Sequence, residues 1–336
     1  MKQAAQVFIG LTVLAALAEI LILIRLQIDP WRLAALLESV ALLLGAFVGL
    51  TQAAFIKQLR LWAASSAALA AGLPFLLLIP YLILGLGTGT FAWWALGKLI
   101  AYIAVPTALL LPDRHRHREP LNWRDVFAML ALAVPVPAGW LQGIFIWPQD
   151  IYVFRPVFCV LAGGYAFMVL RNLDGVGFRL VWRKKDISYG VLNLVAYAIV
   201  AIPTGIMLNF IQPHATAALT RNAPWGTTAS FLFVFIGIYL TVAIPEELLF
   251  RGILQNILAR TINKGPRGLY GLLIASVVFG LAHLHHPYHG HVPNWRYAVM
   301  ATLAGVFYGN VYRTRERLCA SALTHALVDT IWHFWF

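Results

Sequence analysis

Charge is scarce in this chain. Asp, Glu, Lys and Arg make up 11% of its 336 residues, against roughly 25% in an ordinary soluble domain. That deficit excludes a water-soluble globule as the whole of the chain. Cysteine is scarcer still: Cys159 stands inside an apolar run and Cys319 at the start of another. Neither position suits a disulfide, so a disulfide-built secreted scaffold is excluded too. Low-complexity tracts, a long soluble domain and a C-terminal lipidation box are missing. Acidic residues number 13 against 25 Lys and Arg, but the basic surplus is spread over short loops and builds no basic face on a soluble module. Nucleic acid is therefore not an expected partner, whereas the lipid bilayer is.

What fills the chain is apolar side chain, 61% by count. At about 20 residues per crossing, its runs give about eleven candidate spans: 4–24, 33–55, 62–85, 91–111, 126–146, 151–170, 188–210, 229–259, 268–286, 297–312 and 318–335. The expected fold is all-α, a polytopic transmembrane helical bundle. Lys and Arg stay on the cytoplasmic side of membranes. A cytoplasmic N-terminus places Lys57 and Arg60, Arg114 to Arg124, Arg171 to Lys185, Arg260 to Arg267 and Arg313 to Arg317 in cytoplasmic loops. Arg25 and Arg32 are the discordant pair. The Ala16-Leu17-Ala18 triplet resembles a signal-peptide cleavage site, but the long apolar run around it and the spans that follow favour a retained first helix.

The basic stretch 171–187 divides the sequence into a module at 1–170 and a second at 188–336. In the first, isolated charges at Glu19, Glu38, Lys98 and Arg155 read as snorkelling or mutually paired side chains. Arg183-Lys184-Lys185-Asp186 reads as a solvated loop. The chemistry concentrates in the second module, where Glu246-Glu247 and Arg251 interrupt an apolar run. Ionised groups at membrane depth cost roughly 2.5–3.5 kcal/mol each, which makes them candidates for function.

Helical spacing sorts these residues. Glu247 and Arg251 are an i,i+4 pair able to bridge, while Glu246 points about 100° away. This suggests a structural ion pair and, beside it, a free carboxylate in a poorly solvated site suited to general-base or general-acid work. Phe279 and His283 share one face of the next span, with Gly280 and Ala282 permitting close helix approach. His325 and Asp329 are again i,i+4, so the carboxylate can co-ligate a cation or fix the ring tautomer. At 1.5 Å per residue, Glu246 and His283 lie about 21 and 22 Å from their cytoplasmic helix ends, Asp329 about 18 Å and His325 about 12 Å. These depths can share one layer of the bilayer. His285, His286, His289 and His291 follow His283 around Pro287 and Gly290 and read as an interfacial turn with metal-binding or pH-sensing capacity.

Glu246-Glu247-x-x-x-Arg251, Phe279-x-x-x-His283 and His325-x-x-x-Asp329, in this order, resemble the motif set of the CAAX-protease and bacteriocin-processing (CPBP) family of intramembrane proteases. Gly305-Val306-Phe307-Tyr308-Gly309 resembles that family's small-residue helix, and the likeness covers about 229–336. The resemblance implies hydrolysis of a peptide bond in a membrane-associated protein or peptide substrate. It implies water activation by Glu246 and His283, a site completed by His325 and residue 329, and either a glutamic mechanism or a zinc one. Many members have Asn at 329. An ionised Asp329 cannot donate to an oxyanion, which favours its service as a metal ligand or as the orienter of His325. A Zn²⁺ held by Glu246, His283, His325 and Asp329 is the expectation that follows. The alternative is a non-proteolytic membrane protein, either an immunity or scaffold protein or an ion- or proton-coupled transporter, using the same polar cluster. A bacterial inner membrane is the expected location.

Overall fold

The computed structural model describes residues 29–115, 120–147, 154–211, 224–262, 267–285 and 292–336. The expected first span at 4–24, and His286, His289 and His291, lie outside them. The described chain is helical and falls into two compact units, one ending at Asp174 and one beginning at Gly175.

In the first unit, α1 (Pro30–Leu50) starts with Pro30 at its first position and Asp29 capping the Trp31 N–H at 2.8 Å. It stops at Thr51, and a separate helix α2 (Ala53–Ser65) follows where the sequence suggests one run to 55. Ser66 caps the next helix, α3 (Ala67–Thr88), whose middle turns, Leu73–Leu78, tighten to 3₁₀ geometry. Gly89, at φ +75°, ends it with a left-handed residue that glycine adopts without strain. α4 (Trp93–Leu110) carries Lys98, whose ammonium lies 5.1 and 5.3 Å from the ring centres of Trp94 and Trp140. That charge is met by aromatic faces rather than by a carboxylate.

The expected span at 126–146 is shorter than its apolar run. α5 (Trp123–Ala133) ends in a series of turns, because Pro135 and Pro137 cannot donate to a helical ladder. α6 (Phe154–Leu170) closes the unit. Arg171, expected in a basic loop, is instead buried, with Nε donating to Asp125 Oδ1 at 2.6 Å and Nη2 to Oδ2 at 3.2 Å.

The second unit opens with an irregular stretch held by the Leu318 N–H on the Gly177 carbonyl, 3.0 Å, and the Tyr312 hydroxyl on that of Gly175, 2.7 Å. Helix α7 (Lys184–Met207) follows, then α8 (Thr228–Ile262), α9 (Leu269–Ala282), α10 (Trp295–Arg315) and α11 (Leu318–Trp335). Asp186 is no part of a solvated loop: it lies in the first turn of α7 and is fully buried. By length and composition α1, α3, α4, α7 and α8 can cross a membrane, and α6 and α9 are shorter apolar helices. α10 and α11 have comparable length but carry the polar groups. Gly305 lets α10 close on α9, since a Cβ there would sit 3.0 Å from Ser276 Cα. Phe250, Phe279, Ala301, Ala304 and Tyr308 form a buried cluster from α8, α9 and α10.

Candidate active site

Pro245 breaks the donor ladder of α8 immediately before the two glutamates, because it has no N–H to give. On both sides the helix widens into π turns, Tyr239–Ala243 and Leu248–Gln255. Such one-residue insertions concentrate at functional sites because they re-aim side chains without ending the helix. Here they frame Glu246 and Glu247.

Glu247 is fully buried and wholly engaged. Its Oε1 lies 3.1 Å from Arg251 Nη1 and 3.0 Å from His325 Nδ1, and its Oε2 accepts from the Ser321 hydroxyl. Ser321 also reaches the Tyr308 carbonyl at 2.9 Å, so two acceptors share its single proton. Arg251, 1% exposed, rests 4.2 Å over the centre of the Phe279 ring and points Nη2 at the Gly305 carbonyl, 3.4 Å away. One turn further along α8, the Gln255 amide donates to the Gly309 carbonyl at 3.0 Å. The two glycines expose α10 backbone to these side chains, which accounts for the small-residue motif in that helix.

Glu246 is the opposite of its neighbour. Its side chain is 32% exposed, its Oε2 is buried, and it makes no hydrogen bond among the described residues. The nearest ionic partner is His325 Nε2, 3.9 Å from Oε2. The same ring nitrogen lies 3.3 Å from Oδ2 of Asp329, one turn along α11. Tyr308 stacks on the His325 ring at 4.6 Å with 16° between planes, and Phe279 meets it edge-on at 5.9 Å.

His283 is not inside its helix. It caps the end of α9, with Nδ1 2.7 Å from the Phe279 carbonyl. A carbonyl only accepts, so Nδ1 carries the proton and the neutral ring keeps its lone pair on Nε2. The ring packs against Phe279 at 4.7 Å and Tyr297 at 4.9 Å. No hydrogen bond or ion pair joins it to Glu246 or His325 among the described residues.

Of the expected zinc set of Glu246, His283, His325 and Asp329, Glu246 and Asp329 both approach Nε2 of His325, while nothing joins His283 to the other three among the described residues. Among the described residues no group of three or more His, Cys, Asp or Glu side chains is placed to hold a metal ion. A ligating imidazole must offer a lone pair; on His325, Nδ1 faces Glu247, and Nε2 lies beside Glu246 and Asp329. The four-ligand zinc set is not assembled among the described residues. Ser321 and Tyr297 belong to the site without standing out in the sequence, and Tyr308 is visible there only as part of the small-residue motif. Ser321 alone has a signal of its own, one turn before His325 on the stripe that continues to Asp329.

Residues 228–331 match the family model described as Type II CAAX prenyl endopeptidase Rce1-like. No curated protein and no solved structure matches the chain. The match spans α8 to α11 and takes in every member of the three motifs. Over residues 228–331 this integral membrane protein carries a protease domain of the Rce1-like CAAX family, within the CPBP group.

Proposed function

We propose that the chain is an intramembrane endopeptidase in which Glu246 activates water without a metal. The observation that carries this reading is the contrast between adjacent carboxylates: Glu247 is consumed by three partners, while Glu246 holds a buried oxygen with no hydrogen-bond partner among the described residues. Glu246 takes a proton from water as the water oxygen bonds to the peptide carbonyl carbon. His325, with Nδ1 braced by Glu247, shares its Nε2–H between Asp329, 3.3 Å away, and the oxyanion. Collapse of the intermediate breaks the C–N bond, and the proton on Glu246 passes to the leaving amine. His283 presents Nε2 as a second acceptor for the water. Asp329 serves as the orienter of His325.

The substrate class is a membrane-associated protein or peptide, and the family description directs the first trial to a prenylated C-terminal CAAX peptide. Full-length protein in liposomes should cleave such a peptide or its unprenylated counterpart, and Glu246→Gln should lower turnover by roughly 10²–10⁴-fold. Turnover by that variant at the wild-type rate would remove Glu246 from the mechanism. Absence of cleavage of any membrane peptide by the wild type would favour the non-proteolytic alternative.

A further inference from the structure

A cationic cluster in the second unit takes no part in the site. At its centre the buried Asp186 carboxylate accepts the Arg183 backbone N–H at 2.9 Å, Arg315 Nε at 3.0 Å and Arg317 Nε at 2.8 Å. One carboxylate thereby fastens the start of α7, the end of α10 and the start of α11. Its charge is outnumbered. The side chains of Arg183, Lys184 and Lys185 are exposed and have no acidic partner among the described residues, and Arg313 is held only by Asn310 Oδ1 at 3.0 Å. Trp182 and Tyr189, 37% and 38% exposed, flank the cluster. Such rings settle at headgroup level.

We propose that this cluster binds the phosphate of an anionic phospholipid headgroup. Three observations favour a lipid over a soluble anion. The cluster lies where α7, a span-length apolar helix, begins. Its aromatic neighbours are of the interfacial kind, and its lysines stand on the exposed first turn of α7. Basic pockets between helices on the cytoplasmic side recognise headgroups in this way. A bound headgroup offsets the repulsion among the cations and braces α10 and α11, which carry Tyr308, Ser321, His325 and Asp329.

The test uses full-length protein in phosphatidylcholine nanodiscs with and without phosphatidylglycerol, read by native mass spectrometry of retained lipid and by thermal midpoint. Lys184→Gln, Lys185→Gln and Arg313→Gln are combined, since none of the three touches Asp186 or the catalytic groups. At about fivefold per basic residue, the triple variant should retain phosphatidylglycerol about 100-fold more weakly. Its midpoint should no longer rise with that lipid. Should the triple variant fold poorly, Lys185→Gln alone should show a loss of about fivefold. Undiminished retention by the variants overturns the proposal. So does an equal rise in midpoint with millimolar inorganic phosphate in pure phosphatidylcholine, which would identify a soluble phosphate site.

Discussion

Neutralising Glu247 should unfold what neutralising Glu246 leaves standing. Glu247→Gln keeps the side-chain shape but strands Arg251, which is 1% exposed. Breaking a buried pair by removing one partner costs about 3–5 kcal/mol. The Gly305 carbonyl and the Phe279 face remain to the guanidinium, which places the loss near the lower end, about 3 kcal/mol. Removing both charges, as in Glu247→Gln with Arg251→Met, should cost less than the sum of the single changes by about 2 kcal/mol, because neither ion is left alone. Glu246→Gln, lacking any hydrogen bond to lose, should stay within about 0.5 kcal/mol of wild type. Denaturant titration of the four proteins in bicelles measures all of this in one series. Equal destabilisation by Glu246→Gln and Glu247→Gln, or additive behaviour of the double variant, would refute the division between structural and reactive carboxylates.

Asp329→Asn should lower activity by no more than about tenfold, since an amide oxygen can still accept from His325, and chelators should leave both proteins unchanged. Activity abolished by a chelator and restored by Zn²⁺ would instead establish the metal mechanism. Gly309→Ala puts a Cβ 2.6 Å from Gln255 Oε1 and 3.1 Å from Leu272 Cγ, for an expected loss of about 1–3 kcal/mol. Gly97→Ala, with nothing within 4 Å of its Cβ, is the control, and equal melting of the two would deny the close approach. Cysteine labelling at Lys184 and Arg315 should report the cytoplasmic face, and at Phe336 the opposite one; reversed labelling would invert the topology.

The two i,i+4 pairs are legible in the sequence because helical geometry alone brings their members together, and Glu247–Arg251 at 3.1 Å and His325–Asp329 at 3.3 Å are the result. The bond from Glu247 to His325 is not legible, since it depends on which face of α11 meets α8. His283 shows the same limit: its spacing from Phe279 is right, but the end of α9 falls one residue earlier and turns its Nδ1 back to the helix. The helix ends at Ala133 and Leu50 escape a reading based on apolar run length, because composition stays apolar where the backbone stops being helical.

The π turns of α8 make that helix sensitive to its residue count. A π turn holds one residue more than the α-helical register needs. Deleting a single residue between Leu248 and Gln255 would let the ladder close as an ordinary α-helix, with little loss of apolar length. The segments on either side would keep their facing, because the extra residue is what the wider turn absorbs. The side chains inside the widened turns would be the ones re-aimed, Arg251 away from Glu247 and Gln255 away from the Gly309 carbonyl. A change of length along these eight residues therefore acts first on the contacts of Arg251 and Gln255, whatever the hydrophobicity of the segment.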